Sequence, residues 1–583
     1  MRSADRPSVR LQLQCTLAPL AIECPVFSLV IFLLVAWPIC IQQVSAQNLQ
    51  PENQPNIVRG TVVNAVTGQP IGRALVYSPD NRYAMFTDGE GHFEFTLPKA
   101  AAENGGVTFS TGNMGSPTWL MARRPGFLED LNGNRQVEVS PGTEVTIPLM
   151  PEALIKGRVA LPAADPARGI NVELFSREVR DGSLRWMRKG SARTNSQGEF
   201  RFAELEPGTY KVLTREWMDN DPEGTVPGGL AYGFPPMYFP SATDFASAST
   251  IQLTGGQTFE ADMSLLRQPY YPVTIPAANI EQNGGMNITV SPQGQRGPGY
   301  SLGYNAAKHV IEGQLPNGKY LVEGEIFRPD SSASGSVNLT VAGAPAEGPA
   351  MVLARNSSIP VNVKEEFTSQ VTAPRIVVAG GRMTSVHSPR GDAQIIAEPM
   401  DDFGSQRRTF LRHPEGANDD SLVLDLAPGR YWLRVTPFRG YVASASMGGT
   451  DLLREPLVVV PGASTPIEIT MRDDNAELEG TLTGISAGLA DSGGSSQRGF
   501  MYCIPLPDSS GQFLEIHTAS DGKFDVRSVA PGIYRVIAFN RQQHDIPYRD
   551  PEAMKAYEAK GQIVHFAPGQ KVTLQLEIAS GAD

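Results

Sequence analysis

Cysteine is nearly absent from most of this sequence. The 583 residues include four cysteines, and three of them, Cys15, Cys24 and Cys40, lie within the first 46 residues. Beyond that segment only Cys503 remains. The rest of the chain therefore has no disulfide framework and no cysteine-based metal site.

Long apolar runs are also scarce, and the one that stands out is residues 26–41. Basic residues precede this run, and small residues that end at Ala46 follow it, so residues 1–46 are predicted to be an export signal cleaved before Gln47. The alternative is an uncleaved anchor, although 16 residues fall short of the roughly 20 that span a bilayer as a helix. Residues 47–56 are a polar spacer, and the protein is expected in the periplasm, on the cell surface or outside the cell.

Positive charge is in deficit, with 49 Lys and Arg against 61 Asp and Glu and a net charge of −12. No stripe of basic residues with interleaved aromatic residues occurs, so nucleic acid is not expected as a partner. Membrane contact is expected only through the N-terminal segment, if that segment is not cleaved.

Catalytic patterns are few as well. The His-Glu-x-x-His zinc motif does not occur, and His309-Val-Ile-Glu312 has only the spacing of a carboxypeptidase zinc pair. Because side chains alternate along a strand, His309 and Glu312 are predicted to lie on opposite faces. The sequence therefore predicts no catalytic residues, no metal site and no cofactor.

The sequence is instead rich in turn residues, with 58 Gly and 47 Pro, and one strand-turn-strand pattern recurs along it. In residues 198–213, Phe200 and Phe202 alternate with polar residues, Pro207-Gly208 supplies a turn, and Tyr210 begins a second strand. This pattern predicts a β-hairpin with one buried face, with the Tyr210 hydroxyl bonded to nearby backbone. A similar arrangement ends in Tyr534.

Copies of this pattern, together with recurring first and last strands, divide the chain into units. The last strand, residues 571–578, shows strict alternation that predicts Val572, Leu574, Leu576 and Ile578 in a core. Helical signal is confined to residues 550–560. The sequence thus predicts an all-β tandem array of about five β-sandwiches, of which the third and fourth are degenerate, with boundaries at residues 57–150, 151–267, 268–355, 356–474 and 475–580.

Three of the units share a pattern of Thr, three residues, Gly, one residue and Phe: Thr87 to Phe93, Thr194 to Phe200 and Thr518 to Phe524. Together with the Pro-Gly-x-Tyr turns, this pattern resembles the carboxypeptidase regulatory-like domain. The resemblance implies a prealbumin-like sandwich of seven strands, classed with carbohydrate-binding-like folds. It implies no peptidase activity, because the shared residues set turns and fill a core.

A long insertion at residues 217–240 is the predicted binding site. It contains Trp217, Tyr232, Phe234, Tyr238 and Phe239 among Gly and Pro residues. Exposed aromatic faces stack on sugar rings and on partner proteins. In the alternative interpretation, these rings fold back to close the end of the second sandwich or pack against the third unit.

The function that the sequence favours is an exported, non-catalytic binding or adhesion protein of a bacterial-type cell envelope. Polysaccharide is the first ligand class to test, and envelope proteins are the other expected partners. Two alternatives remain: an accessory subunit or degenerate hydrolase acting on envelope peptides or glycans, and a structural spacer that displays other proteins.

Overall fold

The computed structural model describes residues 57–79, 82–96, 118–129, 137–139, 144–162, 166–219, 230–278, 285–295, 297–327, 332–368, 375–379, 382–386, 393–403, 409–412, 422–484, 499–509, 511–519, 522–540, 542–543 and 545–579. The predicted export signal and spacer lie outside these residues. The described chain is almost entirely β-strand, which confirms the predicted fold class. Among the described elements, no helix is long and apolar enough to cross a membrane.

The first sandwich consists of seven described strands: β1 (Ile57–Asn64), β2 (Leu75–Tyr77), β3 (Ala84–Phe86), β4 (His92–Thr96), β5 (Thr118–Arg123), β6 (Val137–Val139) and β7 (Glu144–Leu149). They form two sheets in the orders β4-β1-β7 and β3-β2-β5-β6. Two packed sheets bury the inward residues of every strand. The strand count is the one that the family resemblance implies.

The second sandwich consists of β8 (Ala153–Ala160), β9 (Asn171–Arg180), β10 (Ser183–Arg193), β11 (Glu199–Leu205), β12 (Gly208–Thr214), β15 (Ile251–Leu253), β16 (Thr258–Glu260) and β17 (Met263–Ser264). Its sheets are β11-β8-β16, with β17 also on β8, and β10-β9-β12-β15. Between β12 and β15, the insertion contributes β13 (Trp217–Met218) and β14 (Ala231–Phe234).

The third sandwich consists of β18 (Gln268–Ala278), β19 (Asn287–Pro292), β20 (Gly303–Asn305), β21 (Val310–Pro316), β22 (Gly318–Phe327), β23 (Ser332–Val341), β24 (Ala346–Glu347), β25 (Met351–Val352) and β26 (Ala354–Arg355). One sheet has the order β19-β22-β23-β26. The other runs β13-β14-β18-β21-β20, with β24 and β25 also paired to β18. The insertion of the second sandwich thus extends a sheet of the third.

The fourth sandwich consists of β27 (Ser357–Glu366), β28 (Arg375–Ala379), β29 (Arg382–Val386), β30 (Ala393–Pro399), β31 (Thr409–Phe410), β32 (Val423–Leu426), β33 (Gly429–Pro437), β34 (Tyr441–Met447), β35 (Thr450–Asp451), β36 (Leu457–Val459) and β37 (Ile467–Arg472). Its main sheets are β32-β27-β37-β34-β35 and β31-β30-β33-β36, and β28 pairs with β29.

The fifth sandwich consists of β38 (Ala476–Thr483), β39 (Phe500–Pro505), β40 (Leu514–His517), β41 (Lys523–Val529), β42 (Gly532–Phe539), β43 (Gln562–Phe566) and β44 (Lys571–Glu577). Its sheets are β41-β38-β44 and β40-β39-β42-β43. The helix α1 (Pro551–Met554) and a 3-10 turn (Lys555–Tyr557) precede β43. Asp550 caps α1 by accepting hydrogen bonds from the backbone N–H groups of Glu552 and Ala553.

Each sandwich has its own buried core, and one strand pairing is common to all five. The first strand of every sandwich pairs in parallel with one or two strands at or near its end: β1 with β7, β8 with β16 and β17, β18 with β24 and β25, β27 with β37, and β38 with β44. The alternation predicted for residues 571–577 is confirmed, since Leu574 and Leu576 are buried while their neighbours are exposed.

The predicted hairpin at residues 198–213 is wrong in its pairing. Strand β11 pairs with β8, whereas β12 pairs with β9 and β15 in the opposite sheet, so the Pro207-Gly208 turn carries the chain from one sheet to the other. The buried residues are as predicted, because Phe200, Phe202 and Tyr210 all lie in the core of the second sandwich. An arch and a hairpin bury the same alternate side chains.

The tyrosine of this turn fixes the arch. The Tyr210 hydroxyl donates to the carbonyl of Glu206 at 2.8 Å, which confirms the predicted backbone contact. The same four-residue bond recurs in the other sandwiches that have the turn, formed by Tyr320, Tyr431 and Tyr534 at 2.9, 2.8 and 2.7 Å. The repeated motif is therefore a structural tyrosine corner.

Candidate functional site: the junction of the second, fourth and fifth sandwiches

The aromatic residues of the 217–240 insertion are packed against protein. Phe234 and Tyr238 are buried, with 3% and 4% of their surfaces exposed. Trp217 stacks on Phe234 with ring centroids 5.3 Å apart, and both contact the core of the second sandwich. The Tyr238 hydroxyl donates to the carbonyl of Pro298 in the third sandwich at 2.7 Å.

The two other aromatic residues of the insertion lie nearer the surface. Arg267 holds its guanidinium 4.0 Å from the ring centroid of Tyr232. Phe239 meets Phe259 edge to face at 5.8 Å. These placements agree with rings that close the second sandwich and pack on the third, and ligand binding by them stays a prediction.

The histidine and glutamate with zinc-pair spacing have other contacts. His309 lies in the turn before β21, where its Nδ1 is 3.2 Å from the Tyr304 hydroxyl. Glu312 accepts a hydrogen bond from Asn305 at 2.8 Å. In the described part of the chain, no three His, Cys, Asp or Glu side chains are grouped to hold a metal ion. Cys503 is buried, and burial raises the pKa of its thiol to about 12.

Two stretches of the sequence match the Gly-x-Ser-x-Gly pattern, at residues 299–303 and 484–488. A nucleophile elbow requires a strand, a sharp turn and a helix. Residues 299–303 instead lie between β19 and β20, where the Ser301 N–H donates to the Glu216 carboxylate at 3.1 Å. Residues 485–488 lie outside the described part of the chain.

The long hairpin of β9 and β10 reaches from the second sandwich to the fourth. Arg185 forms an ion pair with Asp402 at 3.1 Å and donates to the Pro399 carbonyl at 2.6 Å. Arg180 pairs with Glu398 at 3.2 Å. Because Arg185 and Glu398 are largely removed from water, this junction depends on matched charges.

Aromatic rings lie beside these ion pairs. Phe245 contacts Phe175, Trp186 and Phe403, with ring centroids 5.4, 5.4 and 4.6 Å away. Lys211 places its ammonium 4.7 Å from the Phe245 ring centroid and donates to the Phe245 carbonyl at 2.6 Å. Burial lowers the pKa of Lys211. Phe403 belongs to the fourth sandwich, so this cluster lies between the two sandwiches.

The tip of the same hairpin contacts the fifth sandwich. The Arg549 backbone N–H donates to the Gly182 carbonyl at 2.8 Å. A Cβ atom on Gly182 would lie 2.5 Å from the Tyr548 ring, so only glycine fits here without movement. Asp181 beside it forms an ion pair with Arg434 of the fourth sandwich.

A cleft of about 1010 Å³ lies where these sandwiches meet. Asp181 of the hairpin tip, Trp432 and Arg434 of β33, and Tyr548 and Arg549 before α1 all line it. A volume of this size is at the upper end of those that small-ligand sites occupy. We therefore take this cleft as the candidate functional site.

Aromatic rings and guanidinium groups form part of the walls of the cleft. The Arg549 guanidinium lies 4.0 Å from the ring centroid of Trp432, a cation–π contact. Phe513 and Tyr548 stack with centroids 4.4 Å apart and planes at 10°. Arg434 is 3.4 Å from Glu398, and burial lowers the pKa of Arg434. Because these side chains are already packed against one another, they would lose little conformational entropy on binding a flat ligand.

Sequence reasoning missed this cleft, although one signal was visible. Strand β33 alternates, with Tyr431 and Leu433 buried and Trp432 and Arg434 turned outward. A tryptophan on the outer face of a strand indicates a contact beyond its own sandwich. An outward tryptophan does not identify the segments that it contacts. Other walls of the cleft come from segments about 250 residues before and 110 residues after β33.

No protein-family model matches the chain, and no curated protein matches it. Solved structures that match include the full-length RrgB pilus protein of Streptococcus pneumoniae, at 8% identity over 74% of this chain and 98% of that one, with a TM-score of 0.15. BcpA, the major pilin subunit of Bacillus cereus, has 9% identity over 73% and 99%, with a TM-score of 0.13. A streptococcal ancillary pilin has 11% identity over 51% and 99%, with a TM-score of 0.17. Superpositions at this level carry no argument about function.

Proposed function

We propose that this chain is an exported, non-catalytic binding protein of a bacterial-type cell envelope, with polysaccharide as its ligand class. The observation that carries the proposal is the cleft between the second, fourth and fifth sandwiches. Its aromatic and guanidinium walls suit the flat faces and many oxygen atoms of sugars. The predicted export signal and the resemblance to carboxypeptidase regulatory-like domains support the same function.

The arrangement of the sandwiches also supports a binding role. The second sandwich and the consecutive fourth and fifth sandwiches each contribute residues to one concave surface. A simple end-to-end spacer needs only contacts between neighbours in the chain, whereas β9 and β10 pair by charge with the fourth sandwich. Most of the lining comes from the fourth and fifth sandwiches, and the hairpin tip of the second sandwich adds Val179, Asp181 and Gly182.

The test is a glycan array probed with the full chain lacking residues 1–46. We expect retention of a subset of polysaccharides, and loss of that retention for Trp432→Ala. A matched control is Trp119→Ala, which removes a tryptophan from the first sandwich, away from the cleft. Retention no greater than that of an unrelated β-sandwich protein would exclude polysaccharide as the ligand class.

A further inference from the structure

Two hydrogen-bond donors in the cleft residues have no acceptor. Trp432 Nε1 and Arg549 Nη1 are both buried, and neither has a partner among the residues that the structure describes. A buried donor without an acceptor is unfavourable, because it has lost its hydrogen bonds to water. Since both residues line the same cleft and their side chains are in contact, an acceptor-rich ligand group placed there would satisfy both.

The arginines of the cleft differ in how they are neutralised. Arg434 pairs with Asp181 and Glu398, and Arg454 pairs with Asp451 at 3.3 Å. The Arg549 guanidinium, in contrast, has no carboxylate partner within the described chain, and it is the backbone N–H of Arg549 that donates to Gly182 of the second sandwich. A guanidinium without a carboxylate partner favours an anionic group placed directly against it.

A second arginine of the cleft also forms no ion pair with a carboxylate of the described chain. Arg535 donates to the backbone carbonyls of Glu558 and Lys560, at 2.5 and 3.2 Å, and forms no ion pair with any described residue. Arg535 and Arg549 both belong to the fifth sandwich. The fifth sandwich also supplies Glu515 and Glu558 to the cleft, but neither carboxylate forms an ion pair with Arg535 or Arg549 within the described chain.

One acceptor in the cleft is likewise unused. Asp181 Oδ2 is buried without a partner in the described chain, while the other carboxylate oxygen contacts Arg434. A purely anionic ligand would leave this oxygen unsatisfied, because an anion offers it no hydrogen. A ligand that combines a carboxylate with hydroxyl groups would satisfy the acceptor and both donors.

We propose that the cleft binds an acidic saccharide, in which a uronic acid carboxylate accepts hydrogen bonds from Arg549 and Trp432 and a sugar hydroxyl donates to Asp181. This inference rests on the proposed polysaccharide-binding function and adds the charge of the ligand. The carboxylate matches the forked donors of a guanidinium, as ester and amide groups do not.

The experiment compares three probes by isothermal titration of the full chain lacking residues 1–46. The probes are a galacturonate oligomer, the same oligomer as its methyl ester, and oligoglutamate. We expect the free acid to bind at least about 10-fold more tightly than the ester, and its affinity to fall as salt is added. Oligoglutamate carries the same charge without sugar hydroxyls and should bind weakly.

Three variants locate the preference. Arg549→Gln keeps the backbone bond to Gly182 and should abolish the difference between acid and ester. Trp432→Phe keeps a ring beneath the guanidinium but removes the indole N–H, so it should weaken binding of the acid about 3- to 10-fold. Arg527→Gln is the matched control, because Arg527 is an exposed arginine of the same sandwich and should leave binding unchanged. Far-UV circular dichroism establishes that each variant is folded.

The outcomes separate the two claims. Equal affinities for acid and ester, with loss of both in Trp432→Ala, would overturn the acidic ligand and leave the polysaccharide function standing. Oligoglutamate binding as tightly as the galacturonate oligomer would overturn the saccharide in favour of an acidic peptide. If neither a sugar probe nor any glycan on the array binds, both the ligand and the proposed function fail.

Discussion

Gly157 lies where the first strand of the second sandwich passes its last strands. It pairs with Phe200 of β11, and a Cβ atom at this position would lie 2.3 Å from the Ala261 carbonyl oxygen. The corresponding Gly60 of the first sandwich would bring a Cβ atom within 2.3 Å of the Val145 oxygen. The glycine is thus required by the spacing between strands.

Replacing Gly157 by Ala should lower the free energy of unfolding by roughly 2–3 kcal/mol, because the backbone that it meets cannot move aside. Chemical denaturation of the full chain measures this. Gly190→Ala is the matched control in the same sandwich, since a Cβ atom there has nothing within 4 Å. Equal stability of the two variants would contradict the argument from close approach.

At the scale of single residues, the sequence predicts burial and close approach correctly. The Gly that recurs two residues before Val or Leu in the first strands predicts a bend of the strand or a close approach to another backbone. The alternation of apolar and polar residues predicts that Phe200, Phe202 and Tyr210 are buried. Both features are local, since glycine lacks a Cβ atom and the side chains of any strand alternate with a period of two.

At the scale of elements, Glu216 joins the strand β12 to the third sandwich. Its Oε2 accepts the N–H of Ser301 at 3.1 Å, while Oε1 is buried without a partner in the described chain. Burial is the main cause that raises the pKa of Glu216 from 4.5 to about 7. The hydrogen bond from Ser301 lowers this pKa more than the charge of Arg215 does, and Tyr300 nearby stays neutral because burial raises its own pKa to about 12.

The Glu216 carboxyl makes the stability of the contact between the second and third sandwiches depend on pH. A carboxyl whose pKa is higher in the folded state stabilises that state fully below its unfolded pKa, and loses the effect as the pH rises through the folded value. Here the window runs from 4.5 to about 7. A shift of this size corresponds to at most roughly 3 kcal/mol.

We therefore expect the free energy of unfolding of the wild type, relative to Glu216→Gln, to fall between pH 4 and pH 8, since glutamine does not titrate. Chemical denaturation at intervals across this range gives the difference directly. Identical pH profiles for the two proteins would show that Glu216 titrates normally.

Pairing between elements was less predictable than burial. The residues of β11 and β12 alternate equally well in a hairpin or in an arch, so periodicity alone could not decide between them. The insertion was a similar case, because the partner of β14 is β18 of another sandwich. Periodicity identifies the buried face of a strand and leaves its neighbour open.

At the scale of the whole molecule, the tip of the β9–β10 hairpin determines how three sandwiches meet. Gly182 has a φ of 74°, and Tyr548 faces it. Tyr548 itself is stacked on Phe513, which restricts its movement. This contact and the ion pair between Asp181 and Arg434 hold the tip at the cleft, so the cleft is a product of tertiary assembly.

Gly182→Ala should therefore detach the tip from the fifth sandwich. Amide hydrogen exchange at Arg549, whose N–H donates to Gly182, is expected to become faster in this variant. Gly169→Ala is the matched control, because Gly169 has a φ of 77° but nothing within 4 Å of an added Cβ. In both variants an alanine adopts a positive φ, which costs about 1–2 kcal/mol. If hydrogen exchange at Arg549 became equally faster in both, the contact between Gly182 and Tyr548 would not be the cause.

The cleft could not be predicted from the sequence for the same reason. Asp181, Trp432 and Arg549 are far apart along the chain, and no local pattern encodes which sandwiches touch. What the sequence did contain was a tryptophan on the outward face of β33.

The parallel pairing of first and last strands has a mechanical consequence. In such a pair, the chain enters a sandwich at one end of the pair and leaves at the other, so tension on the chain pulls the two strands lengthwise past each other. All the hydrogen bonds between β38 and β44, which align over seven residue pairs, would then bear the load together and would not open one by one. β18 meets β24 and β25 over only four pairs, so the third sandwich should be the first to yield when the chain is stretched.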